Sequence, residues 1–178
     1  MQDSFKPPHQ PSLNVRRFRS GDEPALFAVH RSAIERIASR DYTPEQIRAW
    51  LPEDEQLEAW AQKVRVLTPF VACNGEEIVG YADLQADGLI DHFYVSGHHS
   101  RQGIGALLMR RLHEEAGLLG LSALHAHVSL SAERFFRRWG FEVVERHLPV
   151  RRGIALPNAL MRKRLSAGSG ADPGSELP

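Results

Sequence analysis

The sequence predicts an α+β domain: a mixed, mostly antiparallel sheet of six to seven strands flanked by about four helices. Three observations carry that prediction. Asn74-Gly75 and Asp87-Gly88 each lie between short apolar runs, the pattern of tight turns joining antiparallel strands. Apolar residues at helical spacing are confined to stretches before and after that meander. Between the meander and the next helix lies a polar, glycine-bearing loop that ends in Gly103-Ile104-Gly105.

The chain has 178 residues, most simply one domain with enough length for a substantial core. Residues 1–12 are polar and rich in proline and read as a flexible arm. In Leu13 to Phe18, alternation suits a first strand. Asp22-Glu23-Pro24 opens a helix whose buried face carries Leu26, Val29, Ala33, Ile34 and Ile37. Thr43-Pro44-Glu45-Gln46 has the form of a capping box and starts a second helix with Ile47, Trp50 and Leu51 on its apolar side. Leu57, Trp60, Ala61 and Val64 suggest another short helix. Trp50 and Trp60 are explained first by core packing.

The meander follows, with strand, turn and strand over Val64 to Leu84 and a further strand over Leu89 to Val95. After the glycine loop, Ile104, Leu107, Leu108, Leu112 and Ala116 share one helix face, and Arg110 with Glu114 and Arg111 with Glu115 form i,i+4 pairs on the other. Ser122 to Val128 reads as a strand. A helix capped by Ser129 or Ser131 carries Phe135, Phe136 and Trp139 and stops at Gly140. Phe141 to Val150 and Ile154 to Leu165 are the final strands, which places the domain at 13–165 and a disordered tail at 166–178.

The glycine loop is the stretch with chemical content. A loop of this kind entering a helix leaves backbone N–H groups free and adds the positive end of the helix dipole, a cradle for a diphosphate. A dinucleotide fingerprint would need glycine at position 108, where Leu108 stands; a P-loop would need Lys and then Ser or Thr where Ala106-Leu107 stands. The alternative for Gly103 and Gly105 is that they only permit close packing.

About thirty residues on comes Ser129-Leu130-Ser131-Ala132, then Phe135-Phe136, then Gly140-Phe141. With Val95 and the loop Ser100-Arg101-Gln102-Gly103-Ile104-Gly105, this resembles the GNAT superfamily of acetyl-CoA-dependent N-acetyltransferases. Its motifs are a Gln/Arg-x-x-Gly-x-Gly/Ala loop and an Asn-x-x-Ala-x-x-Phe-Tyr-x-x-x-Gly-Phe segment. The likeness covers about residues 13–165 and is closest to the small bacterial YafP-like branch, through Tyr42-Thr43-Pro44-Glu45-Gln46-Ile47 and the Phe-Phe pair. Three positions depart from the pattern. Ser100 replaces Gln or Arg, Ser129 replaces Asn, and Phe136 replaces the Tyr that often protonates the leaving thiolate.

The resemblance implies the GNAT fold and transfer of an acetyl group from acetyl-CoA to an amine in a ternary complex. The diphosphate would lie on the amides of Gln102, Gly103, Ile104, Gly105, Ala106 and Leu107, with Arg101 supplying charge and Ser129 and Phe135 further contacts. The pantetheine arm would pair with Phe93, Tyr94 and Val95, and the Val95 N–H would face the thioester carbonyl. Asp91 and His92 are the candidate bases. As neighbours on a strand they would face opposite sides, and His92 is favoured because its pKa lies near neutrality. Either could equally be structural. Ser131 is the candidate proton donor.

A non-enzymatic acyl-CoA-binding module is the rival reading, kept open by Phe136, and release of free CoA in the presence of amines separates the two. A nucleotide-binding protein is a weaker third reading, supported only if NAD or ATP is bound in preference to CoA. Lys plus Arg and Asp plus Glu are 22 each, so charge gives no reason to expect nucleic acid or a membrane surface as partner. The expected partner is a small-molecule or peptide amine. No apolar run is long enough to span a bilayer, and no signal peptide is read. With its single cysteine, Cys73, read as a buried inert thiol, the chain suits the cytoplasm. His98-His99, adjacent and without further ligand spacing, is read as solvated, and no metal is expected. Oligomeric state stays open; the resemblance allows a homodimer through the last strand.

Overall fold

The computed structural model describes residues 12–53 and 56–166; all but the first residue of the expected tail and all but the last residue of the expected arm lie outside them. In chain order the elements are β1 (Leu13–Arg17), α1 (Glu23–Arg36), a 3-10 turn (Ala38–Arg40), α2 (Pro44–Trp50) and α3 (Leu57–Leu67). Then come β2 (Phe70–Asn74), β3 (Glu77–Ala82), β4 (Leu89–Ile90), β5 (Phe93–Val95), α4 (Ile104–Leu118), β6 (Ala123–Ser129) and α5 (Leu130–Arg138). The chain closes with β7 (Glu142–His147), β8 (Val150–Arg151), β9 (Ile154–Ala155) and β10 (Asn158–Arg164).

The strands form two four-stranded sheets, in the orders β1-β2-β3-β5 and β4-β6-β10-β7, and a small β8-β9 hairpin. All pairings are antiparallel except β4 with β6. The first sheet is covered by α1 and α3 on one face and by α4 on the other. Trp60, Val64, Val71 and Tyr81 fill the first interface. Phe70, Val79, Ile104, Leu108 and Leu112 fill the second, and that core continues through Leu124, Phe136 and Met161 of the second sheet and α5. One continuous apolar core thus joins both sheets, and burial of this kind is the main stabilising term.

The expected capping box is present. Gln46 N–H donates to Thr43 Oγ1 at 3.2 Å, and Thr43 N–H donates to Gln46 Oε1 at 2.9 Å. The expected Arg111–Glu115 pair is present at 2.8 Å, and Arg17 also reaches Glu115; Glu114 pairs with Arg111 at 3.5 Å rather than with Arg110, because Arg111 reaches both acids from one face of the helix.

Three boundaries differ from the sequence reading. Val64 to Leu67 is helical rather than strand, because Val64 completes the buried face of α3 with Trp60 and Ala61. The stretch expected as Phe141 to Val150 and Ile154 to Leu165 is cut into β7, β8, β9 and β10; Pro149 and Pro157, which lack an N–H, fall between the pieces.

The third difference shapes the site. The expected Leu89–Val95 strand is broken at Asp91-His92, where the chain leaves the second sheet and joins the first. Asp83 holds the break: its Oδ1 accepts from the N–H of Asp91 at 3.0 Å and of His92 at 2.6 Å. Asp83 is buried, which raises its carboxyl to about 6 against the pull of those hydrogen bonds. The two sheets part here, and a cleft opens between them.

Candidate active site

The cleft is a cavity of about 1290 Å³ whose wall runs from the glycine loop past β5 to the α1–α2 region and the β7–β9 segment. At one end, Gly103 is the N-cap of α4 with φ +82°, a conformation that side chains rarely adopt. The Leu107 N–H is already taken by the Gly103 carbonyl at 3.0 Å. The first-turn amides of Ile104, Gly105 and Ala106 therefore have no partner within the helix. Leu107 and Gln102 are absent from the cavity wall, so the cradle is shorter than the Gln102–Leu107 span expected from sequence. At Gly80 a Cβ would lie 2.9 Å from Ile104 Cγ2, so the bare backbone there lets the start of α4 sit close on β3.

Gly105 faces Phe135, whose ring carbons lie 3.3 Å from where a Cβ would stand. Phe93 packs on both Phe135 and Phe136, with centroids 5.4 and 5.5 Å away. Ser100, Arg101, Ser129, Phe135 and Arg138 all line this end. Arg101 and Arg138 have no acidic partner among the described residues. Free amides, two glycines without side chains and two unpaired guanidiniums fit a diphosphate-bearing coenzyme.

Beyond it runs the outer edge of β5. Tyr94 pairs with Tyr81, the Ser96 N–H donates to the Val79 carbonyl at 2.8 Å, and the Asp83 N–H to the His92 carbonyl at 3.0 Å. By alternation, the backbone groups of Phe93 and Val95 point away from β3, toward the cleft. This unpaired edge is available to an extended amide-bearing chain.

The two candidate bases do not share the cavity. Asp91 is on its wall, with its side chain 55% exposed. His92 is not on the wall: its ring is 14% exposed and lies beside Tyr81 and Tyr94, on the α1 face of the first sheet. Its Nδ1 is 3.3 Å from the Tyr81 hydroxyl, and its Nε2 is 3.8 Å from Asp91 Oδ2. Burial holds the imidazole below its usual range, so at pH 7 that contact joins a carboxylate to a neutral ring rather than to an imidazolium. The preference for His92 over Asp91 rested on an imidazole that titrates near neutrality, and burial lowers it here.

Behind His92 lies His30 of α1, 6% exposed, with Nδ1 lacking a partner. Its ring centroid is 4.6 Å from that of Tyr94, and burial lowers its pKa to about 3. Sequence reasoning passed over His30, although its place four residues after Leu26 and four before Ile34 puts it on the buried helix face.

Tyr42, which enters the sequence reading only through the Tyr42-Thr43-Pro44-Glu45-Gln46-Ile47 resemblance, also lines the cavity. Its hydroxyl donates to the Pro157 carbonyl at 2.5 Å and accepts from the Leu130 N–H at 3.0 Å. It thereby satisfies the start of α5, where neither Ser129 nor Ser131 supplies the expected cap. Ser131 Oγ and Asn158 Oδ1 are buried at the cavity wall with no hydrogen-bond partner among the described residues.

Comparison with known proteins agrees with this geometry. A family model described as an acetyltransferase (GNAT) domain matches residues 38–165. The Escherichia coli K12 protein YafP, described as an uncharacterized N-acetyltransferase, is 29% identical over 151 residues, spanning 85% of this chain and 95% of YafP. A GCN5-related N-acetyltransferase from Rhodopseudomonas palustris superposes with a TM-score of 0.80 at 27% identity, covering 88% of this chain and 96% of that one. The Salmonella typhimurium putative acetyltransferase YncA, solved with its cofactor acetyl-CoA, shares the fold at a TM-score of 0.64 and 19% identity, over 91% and 99% of the two chains.

Proposed function

This chain belongs to the GNAT acetyltransferase family and is an acetyl-CoA-dependent acetyltransferase, and we propose that it passes the acetyl group directly to a primary amine, of a small molecule or an exposed protein site, within a ternary complex. The observation that carries this reading is the continuous wall from the free amides of Ile104 to Ala106, along the open edge of β5, to Asp91. Acetyl-CoA, when bound, supplies an activated thioester whose thiol, with a pKa of about 8.5, leaves readily as thiolate near neutral pH.

The chain's own groups then have defined tasks. Gly103 to Ala106, with Arg101 and Arg138, bind the phosphates, while Ser129 and Phe135 flank them. The backbone of Phe93 and Val95 orients the pantetheine arm, and the Val95 N–H donates to the acyl oxygen. An alkylammonium with a pKa of about 10 must lose a proton before it can attack. Asp91, the acid on the wall, receives that proton, and His92 supports Asp91 from behind as a neutral ring. Ser131, whose hydroxyl has no protein partner, is the donor available to the thiolate in place of the tyrosine missing at Phe136. The single buried thiol, Cys73, suits a reducing cytoplasm.

The test is incubation of the purified chain with acetyl-CoA and a panel of primary amines, following thiol release and product mass. Free CoA formed in step with an N-acetylated product is expected. Tight acetyl-CoA binding without any acetylated product across the panel would reject direct transfer to an amine.

A further inference from the structure

The charge on the cavity wall is lopsided. Arg40, Arg101, Arg138, Arg146 and Arg151 line it, and among the described residues Asp91 is the only acid that does. Three of these arginines are accounted for. Arg101 and Arg138 flank the phosphate cradle. Arg146 is neutralised by Glu133, with contacts of 2.8 and 2.9 Å, and Glu133 is drawn down to about 2 by its arginine partners. Arg40, at the end of the 3-10 turn, and Arg151, in β8, remain. The turn that ends in Arg40 and the β8–β9 hairpin that carries Arg151 both pack on α2, and neither arginine has an ion-pair partner among the described residues.

A CoA thioester carries its negative charge on its phosphates, at the glycine-loop end, and none at the thioester. Arg40 and Arg151 therefore answer to something else. Arg151 is close enough to His30 and His92, which lie behind Asp91, to disfavour their protonation. Exposed arginines often do no more than hydrate a surface. These two differ in lining a concave wall that also holds apolar surface from Ile37, Trp50 and Leu148. In such a setting guanidinium–carboxylate contacts are less screened than on an open face.

Resting on the acetyl-transfer reading above, we infer that the acceptor is an amino carboxylate with an apolar body: a primary amine whose molecule also bears a carboxylate, held by Arg151 and Arg40. The amine points to Asp91, the only negative group on the wall, and the apolar body lies on Ile37 and Trp50. Polycationic acceptors, such as polyamines, meet two unpaired arginines and a single acid and are disfavoured by the same field.

The full chain is assayed with acetyl-CoA against twin acceptors that differ only in the carboxylate, phenylalanine against phenethylamine and leucine against isoamylamine, with spermidine as the polycation. The carboxylate twin is expected to show at least tenfold higher kcat/KM, and spermidine the lowest. In Arg151→Gln and Arg40→Gln the ratio between twins is expected to fall at least tenfold for the double variant, with acetyl-CoA affinity by calorimetry within twofold. Preference for phenethylamine or spermidine, or variants that weaken both twins equally, would overturn the inference while leaving acetyl transfer intact. Absence of acetylated product with every amine would instead remove the reading on which it rests, and the inference with it.

Discussion

The ring of Phe135 occupies the space that a side chain at position 105 would need: a Cβ on Gly105 would lie 3.3 Å from Phe135 Cε2 and Cζ. Phe135 is only half-buried and borders the cavity, so it yields by moving into the coenzyme's path. Gly105→Val is therefore expected to weaken acetyl-CoA binding at least tenfold, about 1.4 kcal/mol. Gly103 is different. A Cβ there meets nothing within 4 Å, but φ is +82°, so Gly103→Ala costs roughly 1 kcal/mol through the backbone alone. Calorimetric titration with acetyl-CoA and thermal melts of both variants separate the two effects.

Asp91 lies on the cavity wall and His92 behind it. Asp91→Asn is expected to lower kcat about 100-fold, within the usual range for loss of a general base, with the KM for acetyl-CoA changed less than twofold. His92→Gln should cost about tenfold less than that, because it removes support rather than the acceptor of the proton. A larger loss in His92→Gln than in Asp91→Asn, measured by steady-state kinetics, would reverse the assignment.

Phe136 is 3% exposed and packs on Phe93 and Phe141 with centroids 5.5 and 5.0 Å away. Restoring a hydroxyl by Phe136→Tyr should leave acetyl-CoA affinity within about twofold and lower stability by about 1–3 kcal/mol, the usual cost of burying a hydroxyl with no prepared partner. A large loss of affinity would mean that the ring touches the coenzyme directly.

His30 and Asp83 push stability in opposite directions as pH falls. The His30 imidazole is depressed to about 3, below its unfolded value of about 6.5. Its contribution is present above pH 6.5 and is lost as pH falls toward 3. Asp83 is raised to about 6, above its unfolded value of about 3.9. Its contribution is complete below pH 4 and is lost as pH rises through 6. In urea melts, His30→Phe should gain on the parent by on the order of 2 kcal/mol between pH 7 and 4. Asp83→Asn, which keeps an acceptor for the Asp91 and His92 amides, should gain on the parent between pH 4 and 7. The pH dependence of each difference is the readout, since a packing change shifts all pH values alike.

How much of this was legible in the sequence depended on whether the signal was contiguous. Gly103-Ile104-Gly105 could be read because the turn, the free amides and the helix start are neighbours in the chain. The capping box at Thr43 and Gln46 was readable for the same reason. The break at Asp91-His92 was not, because two polar residues within Leu89 to Val95 are compatible with one continuous strand, and the cause of the break is Asp83, on the far side of a turn. Tyr42 was likewise opaque: its partners Leu130 and Pro157 are brought to it only by the completed fold. The cuts at Pro149 and Pro157 were written in the sequence, but periodicity was allowed to override them. The burial of His30 was written there too, by its spacing from Leu26 and Ile34.

The hydroxyl of Tyr42 ties three distant segments together at one atom, anchoring the start of α5 to the segment that leads into β10. That junction cannot drift without uncapping α5. A substitution at Tyr42 therefore acts on α5 and on the approach to β10 together, whereas the Val150–Ala155 hairpin hangs outside that junction.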